Sequence, residues 1–172
     1  MEQLIIFYPY PVIDKRGAKK MCKALLISEV IVNECLTKNY PLNTSKLQKI
    51  LYFMQKEHLK KYNAPLFDED VVAWECGPAM PEINEYFVAG RLGFEHEIEQ
   101  SIILQDSHQE ILDAVLDKYG VMLPSEVAEE SKKELAWIKT WNNGLGKNKS
   151  IPLDFISPQI EQNIPSVEAH DE

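Results

Sequence analysis

The segment between Asn43 and Pro65 constrains this chain more than any other. Leu47, Ile50, Leu51, Met54 and His58 recur at helical spacing and define one inward stripe. Asn43, Thr44 and Ser45 offer N-caps ahead of it, and Asn63 and Pro65 end it. Lys46, Lys49, Lys56, Lys60 and Lys61 fall mostly off the stripe, which predicts a basic outer face. A long helix with an apolar stripe needs other elements to cover it.

Other stretches supply such elements. Residues 18–37 predict a first long helix, apolar nearly all round through Met21, Leu25, Ile31, Val32 and Leu36, and stopped by Asn39-Tyr40-Pro41. Leu66 to Asp70 reads as a turn, and Val71 to Trp74 as a short strand broken by Gly77-Pro78. Pro81 opens a short helix through Tyr86-Phe87. Residues 89–106 fit no single pattern. Ser107-His108-Gln109-Glu110 is a capping box for a helix through Tyr119, with Gly120 as its C′ residue. Pro124-Ser125 starts a helix to about Glu130, Ala136 to Trp141 suggests one more turn, and a final short helix follows from Asp154. The fold class expected is mainly α: a compact helical domain with a small β element near residues 70–75.

A chain of 172 residues can bury a core as one domain. Leu4 to Tyr8 is apolar, but no basic residue precedes it and Pro9 and Pro11 follow, so it reads as a short strand or docked arm and not as a signal peptide. No apolar run approaches a membrane span. Cys22, Cys35 and Cys76 are odd in number with no C-x-x-C spacing, which fits a reducing, cytoplasmic setting better than a disulfide framework. Charge is split along the chain. Residues 1–66 carry 11 basic and 5 acidic side chains, residues 67–172 carry 7 and 22, and the formal net charge is −9. An acidic surface repels phosphate backbones and attracts basic proteins, although such charges also serve simply to solvate a surface.

The usual catalytic patterns do not form. Gly144 to Ser150 lacks the phosphate-loop spacing, because Asn148 follows Lys147. His58, His96, His108 and His170 have no His or Cys at ligand spacing. His58 reads as a hydrogen-bonded core residue, and Glu95-His96-Glu97 as a solvated loop. Asp68-Glu69-Asp70 lacks the ligand ladder of a calcium loop and reads as a polar turn. Ser28, Ser45 and the cysteines have no base nearby in the pattern. No catalytic residue, metal or cofactor is expected, and no enzyme activity. A lysine-rich second helix invites a helix-turn-helix reading, but arginine is nearly absent and the rest of the chain is acidic.

Two motifs at matching spacing carry a family resemblance. Lys46-Leu47-Gln48-Lys49-Ile50-Leu51-Tyr52-Phe53-Met54-Gln55 resembles the K-L-Q-K-L-L-Y-Y-x-Q signature of Panacea-domain proteins. That family includes SocA-like antitoxins and phage-associated GepA-like proteins. Pro65 to Asp70, then Ala73-Trp74-Glu75-Cys76-Gly77-Pro78, resembles its P-L-F-D-E-x and A-W-x-x-G-P-V segments. The chain departs by continuing Ala79-Met80-Pro81. It also holds Lys132 and Ala136 where many members show the His and Pro of T-H-x-E-x-P-W, while Glu134 and Trp137 match. Any role tied to that histidine is not carried over.

The resemblance covers about residues 21–141, and the expected division is an N-terminal arm over residues 1–20, a Panacea-like domain over 21–160 and a flexible acidic tail over 161–172. The resemblance implies an antitoxin that binds a cognate toxin directly, and the chain's acidic surface is expected to favour a basic toxin. The other readings are a proteolysis adaptor that delivers a toxin to ClpXP, and a DNA-binding regulator that uses the Lys46–Lys61 face. Neither nucleic acid nor membrane is the expected partner. Candidate partner-binding or family-signature residues are Gln48, Lys49, Tyr52, Gln55, Trp74, Gly77, Pro78, Glu134 and Trp137. Of these, Tyr52 can bury its ring and still offer a hydroxyl, and Trp74 suits a core or an interface anchor.

Overall fold

The computed structural model describes residues 23–88 and 104–157, together with the backbone of residues 12–13 and 19–20. The architecture is mainly α with a minor β element. Strands β1 (Val12–Ile13) and β2 (Lys19–Lys20) pair antiparallel, Val12 opposite Lys20. Helices α1 (Lys23–Thr37) and α2 (Thr44–Tyr62) follow, then the hairpin β3 (Val72–Trp74) and β4 (Gly77–Ala79). Helices α3 (Pro81–Val88), α4 (Asp106–Tyr119), α5 (Pro124–Lys132) and α6 (Leu135–Trp141) complete the body. A 3₁₀ turn (Asn142–Gly144) and the short helix α7 (Leu153–Ile156) close the described chain.

Helix α2 is the hub. It touches α1, α3, α4, α5, α7 and β4, so nearly its whole circumference is covered. Lys46 through Gln55 are buried without interruption, and Leu47, Ile50, Leu51 and Met54 form the centre of the core. Asn43 caps its start, its Oδ1 accepting the Lys46 N–H at 2.8 Å. Asn63, at φ 50°, ends it in the left-handed conformation that an Asn tolerates. His58, within α2, is buried and sits 2.7 Å from the Ala64 carbonyl through Nδ1, as a hydrogen-bonded core histidine should.

Several boundaries differ from expectation. Helix α1 starts at Lys23 rather than residue 18, since residues 19–20 belong to a strand. Leu36 is exposed, because the α1 stripe that faces the core runs through Leu25, Ile27, Ile31 and Cys35 instead. Gly77-Pro78 does not break a strand but begins β4, and Trp74 pairs with Gly77 across a two-residue turn. Helix α4 begins at Asp106, and its N-cap position, Gln105, makes no side-chain cap, so Ser107 lies inside the helix rather than capping it. Gly120 ends α4 at φ −59°, not in a left-handed cap. It is required by close packing, since a Cβ there would collide with the Tyr40 ring and the Leu116 carbonyl. Residues 89–103, including the Glu95-His96-Glu97 loop, lie outside the described residues, as do Leu4–Tyr8, Met21 and the tail.

The hairpin gains a third, irregular neighbour. Asn148 N–H donates to Ala73 O, Ala73 N–H to Lys149 O and Ile151 N–H to Val71 O, at 2.7–2.9 Å. The Gly144–Ser150 loop is thereby held along β3, with Ser150 bridged to Val72.

Candidate functional site

The motif residues converge where α2 passes beneath the hairpin and the start of α6. Gln48 and Gln55, two turns apart, act as side-chain splices to irregular backbone. Gln48 Oε1 accepts the Met80 N–H at 2.8 Å, and its Nε2 donates to Thr44 O. Gln55 Oε1 accepts the N–H groups of Leu66 and Phe67, and its Nε2 returns a bond to Phe67 O. A glutamine offers both a donor and an acceptor in one planar group, so each residue satisfies backbone that no strand or helix partner reaches. The P-L-F-D-E segment is thus pinned to α2 from below.

The same segment is pinned from above by Glu69. Its carboxylate is buried and accepts the N–H groups of Lys23 (2.9 Å) and Ala24 (3.3 Å), the first residues of α1. A carboxylate at a helix N-terminus satisfies orphan donors and meets the positive end of the helix dipole. Asp68-Glu69-Asp70 is therefore not merely a polar turn. Sequence reasoning missed this because the cap is 45 residues away from the helix it caps, and capping patterns are local.

Two lysines of the signature are buried, contrary to the basic outer face expected from their spacing. Lys46 is 0% exposed, and its Nζ donates at 2.7 Å to three backbone carbonyls, those of Pro41, Gly120 and Met122. Three donors meet three acceptors, so the ammonium ties the segment before α2 and the α4–α5 turn to α2. Lys49 is 1% exposed, and its Nζ lies 3.6 Å from Cys76 Sγ in the hairpin turn. Burial lowers the pKa of both lysines. Helical spacing alone assigns them outward. A lysine stem is apolar enough to pack, and here only carbonyls or a thiol meet its head.

Tyr52 is fully buried, and its hydroxyl reaches Glu134 Oε2 at 3.2 Å. The same oxygen pairs with Lys56 Nζ at 2.7 Å, in a site where both side chains are only 17% exposed. Trp137 Nε1 donates to Trp74 O at 2.8 Å, and its ring stacks on Trp141. Gly77, at φ 107°, has no room for a Cβ, which would strike Ser131 Oγ and crowd Lys49 Cε. Pro78 is buried next to it in β4. The motif residues are thus brought together in three groups: Lys49 with Gly77, Tyr52 with Glu134, and Trp74 with Trp137. Gln48 and Gln55 stand apart as splices.

An open cavity of about 530 Å³ lies against this cluster, lined by Trp74, Glu75, Cys76, Lys132, Lys147 and Asn148. Its lining combines a thiol, an indole, a carboxylate, an amide and two lysines. Among the described residues, no three His, Cys, Asp or Glu side chains are grouped to hold a metal ion. No described helix is long and apolar enough to cross a membrane.

The surface outside the motif has its own pattern. Asp106, Glu110, Asp113 and Asp117 are all exposed on α4 at spacings of four, three and four, which aligns them on one face. Exposed Val121 and Leu123 follow at the α4–α5 turn. Glu126 Oε2 accepts the Leu123 N–H at 2.6 Å and so orients that turn. A run of acids was visible in the sequence, but its collection onto one helix face beside two exposed apolar residues needed the structure.

A family model described as "Antitoxin SocA-like, Panacea domain" matches residues 47–138, more than half of the chain. The matched span runs from Leu47 in α2 through the hairpin to Ile138 in α6. The chain belongs to the antitoxin SocA-like, Panacea-domain family. No curated protein and no solved structure matched it.

Proposed function

We propose that this protein is an antitoxin that neutralises a cognate toxin by binding it directly, without catalysis of its own. Membership of the antitoxin SocA-like family is the observation that carries this reading. The exposed acidic row of α4, with Val121 and Leu123 at its end, supports a basic toxin surface as the partner. Acids of that kind steer encounter, while apolar side chains at the centre of an interface supply most of the affinity. The buried motif residues hold the scaffold that presents this face.

A growth-rescue experiment tests the reading. The adjacent open reading frame is expressed alone and together with this chain. Neutralisation predicts toxicity that this chain relieves, with both proteins co-purifying as a stable complex. Reversing Asp113 and Asp117 to lysine should slow association and flatten its dependence on salt. Rescue that requires ClpXP and removes the neighbour would replace occlusion by delivery to a protease. A harmless neighbour that does not bind would overturn the proposal.

A further inference from the structure

Lys49 is an unusual buried cation. Among the described residues its Nζ donates to no oxygen, and the one group it meets is the sulfur of Cys76, at 3.6 Å. Its neighbour on the same helix, Lys46, has three carbonyls. The amine approaches the sulfur from the protein side. Cys76 is exposed on the other side, in the two-residue turn of the hairpin, and lines the open cavity. An oxidant can therefore reach the sulfur from solvent while the amine waits behind it, shielded from water.

We propose that Lys49 and Cys76 form an oxidation-responsive pair that closes to a lysine–cysteine sulfenamide. A hydroperoxide first converts the Cys76 thiol to a sulfenic acid and is itself reduced, hydrogen peroxide giving water. The neutral Lys49 amine then attacks the sulfur. An N–S bond forms, the S–O bond breaks, and the hydroxyl leaves as a second water with a proton from nitrogen. Condensation of a sulfenic acid with a nitrogen nucleophile is established chemistry. Burial favours the neutral amine that the second step needs.

The local architecture suits the step. Gly77 leaves space for the Lys49 stem to pass under the turn, since a Cβ there would crowd Lys49 Cε. A tight turn moves more readily than the buried helix, so Cys76 covers the remaining distance. The bond would tie α2 covalently to the hairpin, along one wall of the cavity. Cys35 is no competitor, because it is buried and its thiol is pushed up to about 11. This inference does not depend on the antitoxin reading.

The test uses the full chain carrying Cys22→Ala, treated with hydrogen peroxide and analysed by intact mass and tryptic mapping. The expected product is lighter by two hydrogen atoms. It resists trypsin at Lys49, yields a peptide joining Lys49 to Cys76, and reverts with dithiothreitol. In a Lys49→Arg background, trapping of the Cys76 sulfenic acid by dimedone should rise several-fold, because no amine competes. Oxidation of Cys76 to a dimedone adduct or a sulfinic acid, with trypsin still cleaving at Lys49, would overturn the proposal. If Lys49→Arg fails to fold, the peptide map of the parent decides alone.

Discussion

Lys46 and Lys49 lie less than one turn apart on α2, both buried, and their surroundings could hardly differ more. Lys46 is held by three backbone oxygens. Lys49 is held by a single thiol at the edge of a cavity. The first arrangement is what a buried cation needs in order to contribute to a fold. The second leaves the cation poorly satisfied, and natural proteins tolerate such local cost mainly where it serves another purpose. One end of the signature is thus a structural clamp and the other a chemically poised contact.

Substitutions at the clamp end should have the largest effects. Lys46→Met removes the donor from three carbonyls, and we expect a loss of about 3 kcal/mol or more in urea unfolding. A loss below about 1 kcal/mol would erase the distinction between the two lysines. Next comes Gly77→Ala, which forces a side chain into a left-handed site against Ser131 and Lys49. About 2 kcal/mol should be lost, read as a lower thermal midpoint. Glu134→Gln weakens the pairing with Lys56 and the bond from Tyr52, for about 1 kcal/mol. A double-mutant cycle with Lys56→Met should show coupling, and strict additivity would mean that the pair is idle.

The poised end should behave in the opposite way. Lys49→Met replaces a poorly satisfied cation by an apolar chain, and its stability at neutral pH should stay within about 1 kcal/mol of the parent or exceed it. A loss as large as that at Lys46 would make the two lysines equivalent. The smallest effect expected is one of pH. Burial holds the Cys35 thiol at about 11, against an ordinary value of 9.0. Above pH 9 the unfolded chain releases a proton that the folded protein keeps, so this contribution is whole below pH 9 and lost as pH rises toward 11. Unfolding measured on either side of pH 9 should show that decline, and Cys35→Ala should reduce it.

Much of this was legible in the sequence. The α2 stripe, its Asn43 cap and its Asn63 stop follow from local rules, and each appears where those rules put it. The family motifs were legible too, because Lys46 to Gln55 and Ala73 to Pro78 stand at matching spacing. What those motifs do was not. Spacing sends Lys46 and Lys49 outward, because periodicity weighs side chains by polarity and ignores carbonyls arriving from Gly120 and Met122. Glu69 looked like a turn acid for the same reason. Gly120 was recognised as a glycine position on the grounds of conformation, whereas the real constraint is the Tyr40 ring from a distant loop. Each of these depends on a partner far away in the chain.

The Glu69 cap has a consequence for how the molecule comes together. The carboxylate that receives the first N–H groups of α1 lies on the far side of α2 in the chain, about 45 residues away. Capping of that first turn is therefore tied to closure of a long loop, which is slow relative to the growth of a helix. The beginning of α1 should be the last part of that helix to gain protection from hydrogen exchange. It should also be the first part to lose protection when the Leu66–Asp70 segment lifts from α2.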